Sequence, residues 1–63
     1  MKPYQERVVE EQKALEEKIL NLDAFIRTED FRAIFQAERT RMEKQLEVMR
    51  EYSRILSWRI EGF

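Results

Sequence analysis

The chain has 63 residues, contains no cysteine and no histidine, and carries a formal net charge of −1. The missing residue types exclude disulfides, thiolate or imidazole metal ligands, and histidine acid–base chemistry. A chain this short buries only about 60% of the surface that its unfolded form exposes, so we expect regular helix packing and association to stabilise it. Charged residues make up 40% of the chain, which has one Gly and one Pro, a composition typical of long helices or coiled coils.

The first segment, about residues 3–27, is predicted to form one long helix. Pro3 suits the first turn of a helix, where a missing N–H costs nothing, and no later residue of the segment breaks a helix. The positions that step by threes and fours are Val8, Gln12, Leu15, Ile19, Leu22 and Ile26. This spacing predicts a seam of the coiled-coil kind that packs on a second helix.

The middle segment, about residues 28–36, is predicted to be a short helical elbow. Thr28 has the side chain of an N-cap residue, and the two acids that follow it favour the N-terminus of a helix. No Gly or Pro marks a flexible loop. We expect Phe31, Ile34 and Phe35 to close the end of a hairpin. The alternative is a recognition surface made by Phe31 and Phe35.

The third segment, about residues 37–61, is predicted to form a second long helix. Its seam advances by steps of four and three residues through Met42, Leu46, Met49, Ser53, Leu56, Ile60 and Phe63. Gly62 stands where helices commonly end. No repeat, linker or low-complexity stretch interrupts the chain, so we expect a single domain over residues 1–63.

The short connection between the two long helices predicts an antiparallel hairpin. If facing residue numbers add up to 64 or 65, Leu15 faces Met49 and Val8 faces Leu56. The same register places the polar Gln12 opposite Ser53. Because an unpaired buried amide costs about 1–3 kcal/mol, this coincidence favours the hairpin over one continuous rod.

Each helix also carries apolar residues away from its seam. They are Val48, Tyr52 and Ile55 on the second helix, with Trp58 and Arg59 nearby, and Tyr4, Val9, Leu20 and Phe25 on the first. These residues are too many to be scattered exceptions on a surface. The sequence therefore predicts an all-α fold in which two-helix hairpins associate into a four-helix bundle or a larger homo-oligomer. The alternative is a groove that accepts a partner helix or a small ligand.

No arrangement of residues points to catalysis. Both serines, Ser53 and Ser57, fall within a predicted helix with no base at hand. A di-metal carboxylate site in a helix bundle normally adds a Glu-x-x-His motif, which this chain cannot supply. We therefore expect a protein that is not an enzyme, with no catalytic residue, no cofactor and no metal.

Arginine is concentrated in the second half of the chain. Residues 27–63 carry eight cations, of which seven are Arg, against four cations in residues 1–26. The candidate residues for binding a ligand or a partner are Arg50, Tyr52, Arg54, Ile55, Trp58 and Arg59. Guanidinium groups bind phosphate bidentately and stack on aromatic rings, so this cluster could bind the base and phosphate of a nucleotide. The alternative is Arg–Glu pairing, with Tyr52 and Trp58 as anchors of an interface.

Charge and pattern disfavour other classes of partner. A net charge of −1 and helices without a Gly-containing turn argue against duplex nucleic acid. Polar faces that are as acidic as they are basic argue against a membrane surface. We find no apolar run near the 18 or so residues of a membrane span and no signal peptide, and the lack of cysteine fits the cytoplasm.

Three stretches of the chain are similar to the sequences of a known group of proteins. They are Lys2-Pro3-Tyr4-Gln5-Glu6-Arg7-Val8-Val9-Glu10-Glu11, Leu22 to Ile26, and Met49-x-x-Tyr52-Ser53-x-Ile55-Leu56-x-x-Arg59-Ile60. In these stretches the chain resembles a group of short helical proteins encoded by tailed phages and prophages, which has no agreed activity. The chain departs from the group at Phe35-Gln36-Ala37-Glu38, where a more acidic, Pro-containing elbow is usual. The resemblance implies a small accessory phage protein made in the cytoplasm of a bacterial host.

We therefore expect a non-enzymatic phage accessory protein that binds and inhibits or modulates a host or anti-phage defence protein. Two alternatives stay open. One is an oligomeric sponge that sequesters a nucleotide immune signal of the cyclic dinucleotide or ADP-ribose type. The other is a structural coiled-coil assembly module. The expected partners are further copies of the chain, a host or defence protein and, for the sponge, a nucleotide.

Overall fold

The computed structural model describes residues 1–63 and contains three helices and no strand. Helix α1 spans Pro3–Ile26, α2 spans Glu29–Arg32, and α3 spans Gln36–Glu61. The two long helices run antiparallel, so that Tyr4 near the start of the chain contacts Phe63 at its end. The molecule measures 45 × 14 × 13 Å. The prediction of an all-α hairpin with a short helical elbow is confirmed.

Local chemistry accounts for where α1 begins and for how the elbow turns. Gln5 accepts a hydrogen bond of 2.9 Å from the backbone N–H of Lys2, which satisfies one of the free donors at the start of α1. In the elbow, the Thr28 hydroxyl accepts from the N–H of Phe31 at 3.2 Å and donates to the carbonyl of Phe25 at 2.6 Å. The predicted N-cap role of Thr28 is confirmed.

The core is a single seam between α1 and α3. Its buried apolar members are Val8, Leu15, Ile19, Leu46 and Leu56, and the partly buried ones packed on them are Leu22, Ile26, Met49 and Ile60. All of them belong to the seams that the sequence predicts. Only seven of the 63 residues are buried, so most of the molecule is surface.

A polar layer interrupts the apolar seam at its middle. The side-chain amide of Gln12 donates to the carbonyl oxygen of Ser53 at 3.2 Å and to the hydroxyl of Ser57 at 2.6 Å. The predicted pairing of Gln12 with Ser53 is therefore confirmed, but it runs through the Ser53 backbone. The hydroxyl of Ser53 donates instead to the carboxylate of Glu16 on α1.

The elbow closes the hairpin with one aromatic ring instead of two. Phe31 is buried and packs edge-on against Phe25, with ring centroids 6.1 Å apart. Phe35 is 65% exposed and lies under the guanidinium of Arg41, 5.8 Å from the ring centre. The expectation that Phe35 helps to close the end of the hairpin is wrong, because Phe35 precedes the first residue of α3 and its ring stays outside the seam.

None of the three helices has an apolar stretch of the length that a bilayer crossing requires.

Candidate functional site

The largest depression in the surface lies along the outer side of α3. Its volume is about 620 Å³, within the range of ligand pockets. The lining residues are Glu47, Val48, Arg50, Glu51, Tyr52, Arg54 and Ile55. All seven come from two and a half turns of one helix, so the depression is shallow and open to solvent. A ligand resting there on one chain keeps much of its surface in water.

The structure brings together four of the six residues that the sequence nominates for binding. Arg50, Tyr52, Arg54 and Ile55 all line the depression. Trp58 and Arg59 do not line it; they lie about one turn further toward the end of α3, where both are exposed.

The sequence reasoning did not include three of the lining residues, Glu47, Val48 and Glu51, in a site. Glu47, Glu51 and Arg54 follow one another at helical spacings of four and three, as do Val48, Tyr52 and Ile55. The first set forms a charged row and the second an apolar row on the same side of α3. The helical spacing alone could have indicated that Glu47 and Glu51 lie beside the predicted binding residues.

The charged row is paired along the helix. Arg54 contacts Glu51 at 2.8 Å, and Lys44 contacts Glu47 at 3.3 Å. All four side chains are more than half exposed. Ion pairs of this kind contribute about 0–1 kcal/mol, so a ligand that carries its own charge can displace one at little cost.

Arg50 is held by the other long helix. Its guanidinium donates to Asp23 of α1 at 3.1 Å, and Asp23 also accepts from Arg27 at 3.3 Å. The hydrogen bond from Arg27 is the main cause that holds the pKa of Asp23 below its ordinary value. Desolvation opposes it, and the hydrogen bond from Arg50 lowers the pKa further. Arg50 thus lies at the edge of the depression. Asp23 holds one of its N–H groups, and the other N–H groups can donate to a ligand.

The arrangement suits a ligand with phosphate, ring and hydroxyl groups. Arg50 and Arg54 offer planar donors for phosphate, and Tyr52 offers a ring face for stacking. The carboxylates of Glu47 and Glu51 can accept from sugar hydroxyls or from base N–H groups. The lining residues can thus hold such a ligand through hydrogen bonds and ring stacking.

A second depression of about 600 Å³ lies near the start of α1. It is lined by Pro3, Glu6, Arg7, Glu10 and Glu11. It is more open than the first, it contains three carboxylates against one cation, and it offers no aromatic ring. It is therefore less suited to a ligand that bears phosphate.

Comparison of the sequence with known proteins assigns the chain to a family. No curated protein and no solved structure matches it significantly. A sequence model described as Sequestin matches residues 2–62, which is almost the whole chain. The match includes the entire hairpin and every residue of the depression on α3. The chain therefore belongs to the Sequestin family.

Proposed function

We propose that this protein sequesters a small phosphate-bearing ligand of the nucleotide type, and that it performs no reaction on it. The observation that carries the proposal is the depression on α3, whose lining includes two arginines and a tyrosine. The name of the family is consistent with a sequestering role. The absence of a nucleophile–base pair in the depression supports binding without turnover.

The setting that we propose is the cytoplasm of a bacterium infected by a phage. There the ligand is a nucleotide signal of anti-phage immunity, either a cyclic dinucleotide or a molecule of the ADP-ribose type. The support for this setting is the resemblance to short phage proteins in three stretches of the chain. We further propose that the protein works as a homo-oligomer, since an open depression on one helix encloses little of a ligand.

Thermal unfolding in the presence of nucleotides tests the proposal. The probes are cyclic di-GMP, cyclic di-AMP, cyclic GMP–AMP and ADP-ribose, each added to the purified chain. A ligand at 100 times its Kd adds about 2.7 kcal/mol to the free energy of unfolding, which raises the melting temperature of a domain of this size by roughly 10–20 °C. No rise with any of these probes would contradict the proposal.

Two arginine variants locate the binding. Arg50→Gln removes a phosphate donor from the depression, and we expect its Kd for a binding nucleotide to rise at least tenfold, because a charged hydrogen bond is worth about 1.5–3 kcal/mol. Arg32→Gln makes the same change on α2, outside the depression, and should leave the Kd unchanged. Equal affinities in the two variants would place the ligand elsewhere. Titration calorimetry measures both.

The second candidate function is binding and inhibition of a host or defence protein. The observation that favours it is the amount of apolar side chain left in solvent on α3: Trp58 is 60% exposed and Val48 is 55% exposed. Residues of this kind form the centres of protein interfaces.

An affinity purification from a bacterial lysate tests the second candidate. Wild-type protein should retain one specific host protein, and Trp58→Ala should lose it. A matched variant is Phe35→Ala, which removes an aromatic ring of similar exposure at the elbow. If both variants and the wild type retain the same proteins, the apolar face of α3 is not the interface.

A further inference from the structure

The hairpin exposes more surface than a compact protein of its mass. Its accessible surface is 4988 Å², whereas a folded monomer of 7.8 kDa is expected to expose about 4,400 Å². Its radius of gyration is 14.5 Å, against about 11 Å for a compact chain of this length. The excess of about 600 Å² approaches the roughly 800 Å² that each partner buries in a standard interface. The hairpin therefore has enough excess surface to bury against one partner.

The apolar part of this surplus lies on one side of α3. We call this side the α3 stripe and define it as Val48, Tyr52 and Ile55; their exposed fractions are 55%, 41% and 43%. The three positions are spaced by four and three residues, so they lie over one another along the helix. The buried Leu46 and Leu56 occupy a different side, facing α1. The α3 stripe is thus a second seam without a partner in the hairpin.

The charges beside the α3 stripe change sign at its middle. Glu47 and Glu51 precede Tyr52, whereas Arg54 and Arg59 follow it, and all four side chains are exposed. Arg50 also precedes Tyr52, but its guanidinium is paired with Asp23 of α1. A second α3 in antiparallel orientation, with facing residue numbers adding up to about 105, places Glu51 opposite Arg54 of the other copy. The same register places Glu47 opposite Arg59 of the other copy. In a two-fold interface each of these contacts occurs twice.

We propose that the occupant of the α3 stripe is a second copy of this chain, packed antiparallel on a two-fold axis that passes near Tyr52. The charge order favours this orientation, because a parallel copy would set Glu51 against Glu51 and Arg54 against Arg54. The apolar residues pack on their counterparts, and the surplus surface is buried. Two hairpins joined in this way form a four-helix assembly.

This pairing also overlaps the ligand depression. Val48, Glu51, Tyr52, Arg54 and Ile55 line the depression and also lie at the proposed interface, so a ligand bound there would lie at the edge of the interface and contact both copies. A guanidinium has five N–H donors, which lets Arg54 contact both a carboxylate and a phosphate. This last step rests on the proposed function, whereas the association itself does not depend on any ligand.

Complementary charge variants test the interface without ligand. In Glu51→Arg and in Arg54→Glu, like charges face each other across the axis, so each variant alone should associate at least tenfold more weakly than wild type. An equimolar mixture restores opposite charges between unlike copies, and its affinity should return to within about threefold of wild type. Sedimentation equilibrium measures the masses, and circular dichroism checks that each variant remains helical.

A matched pair of variants lies on α1. Glu10 and Lys13 form an exposed ion pair with the same spacing as Glu51 and Arg54. Glu10→Arg and Lys13→Glu should both associate like wild type. A wild-type chain that is monomeric at 100 µM would overturn the proposal. So would an oligomer that tolerates Glu51→Arg and Arg54→Glu as well as it tolerates the α1 variants.

Single cysteines test the orientation, since the natural chain has none. In the antiparallel register, residue 52 lies close to its own counterpart, so Tyr52→Cys should form a disulfide between copies under mild oxidation. Residue 48 is then about 13 Å from its counterpart along the axis, so Val48→Cys should not. Cross-linking of both variants would indicate parallel helices and overturn the proposed orientation. All of these outcomes are independent of whether a nucleotide binds.

Discussion

Gln12 joins the two helices at the one place where the apolar seam is interrupted. Its amide has two acceptors on α3, at 3.2 Å and 2.6 Å, and it lies partly out of solvent. A hydrogen-bonded amide in such a layer fixes the offset of the helices, because a shift by one turn leaves the amide unpaired. The residue therefore contributes specificity as well as stability.

Replacing Gln12 tests this contribution. We expect Gln12→Ala to lower the free energy of unfolding by about 1–2 kcal/mol, because it removes the hydrogen bonds and part of the packing in the seam. The neighbouring Lys13→Ala removes an exposed ion pair and should cost less than about 0.5 kcal/mol. Urea denaturation followed by circular dichroism gives both values. Equal losses in the two variants would show that the polar layer is not important for stability.

Asp23 links the two long helices through its carboxylate. It accepts hydrogen bonds from Arg27 on its own helix and from Arg50 on α3. These contacts lower its pKa in the folded state, so its stabilising effect is present above about pH 4 and is lost as the pH falls through the folded pKa.

Asp23→Asn removes this pH dependence. At pH 7 the variant should melt below wild type, and the difference should shrink as the pH falls below about 4, because the unfolded chain then takes up a proton that the folded Asp23 resists. Melting curves across that range measure the effect. Glu10→Gln, in an exposed pair with Lys13 on α1, should differ little from wild type at pH 7. A gap between Asp23→Asn and wild type that stays constant with pH would contradict the assignment.

At the scale of the element, the elbow depends on one hydroxyl. Thr28 both accepts from Phe31 and donates to Phe25, so it ties α2 to the end of α1. Thr28→Ala should lower the free energy of unfolding by about 1 kcal/mol. Thr40→Ala makes the same change at an exposed position inside α3, where alanine is the better helix former, and should raise it by up to about 0.7 kcal/mol. Chemical denaturation should therefore give opposite signs for the two variants.

The helices and their seams follow from the sequence because helical periodicity is a local property. Steps of three and four residues place Leu15, Ile19, Leu46 and Leu56 on one side, and the polar layer at Gln12 sets how the two seams align. The exposed position of the Phe35 ring could not be predicted from the pattern, because composition does not show whether a ring beside a helix cap turns inward or outward. The structure leaves it under Arg41 in solvent.

At the scale of the whole molecule, the candidate site could be predicted only in part. Arg50, Tyr52, Arg54 and Ile55 share two turns of helix, and their types alone point to phosphate and ring recognition. The link from Arg50 to Asp23 spans 27 residues and requires the rotation of both helices about their axes, which periodicity does not determine. Which side of α3 remains exposed to solvent is also decided only when α3 packs on α1. The site therefore emerges from tertiary packing, although its residues are adjacent in the sequence.

The elbow has a consequence for how the chain folds. The contacts between the long helices close ever larger loops with distance from it: Asp23 to Arg50 spans 27 residues, and Gln12 to Ser57 spans 45. Because the entropy of loop closure grows with loop length, contacts nearest the elbow form at the lowest cost, and each one shortens the loop left for the next. We expect the two helices to zip together from the elbow outward. The free ends, with Tyr4 against Phe63, would then be the last part to close and the first to open.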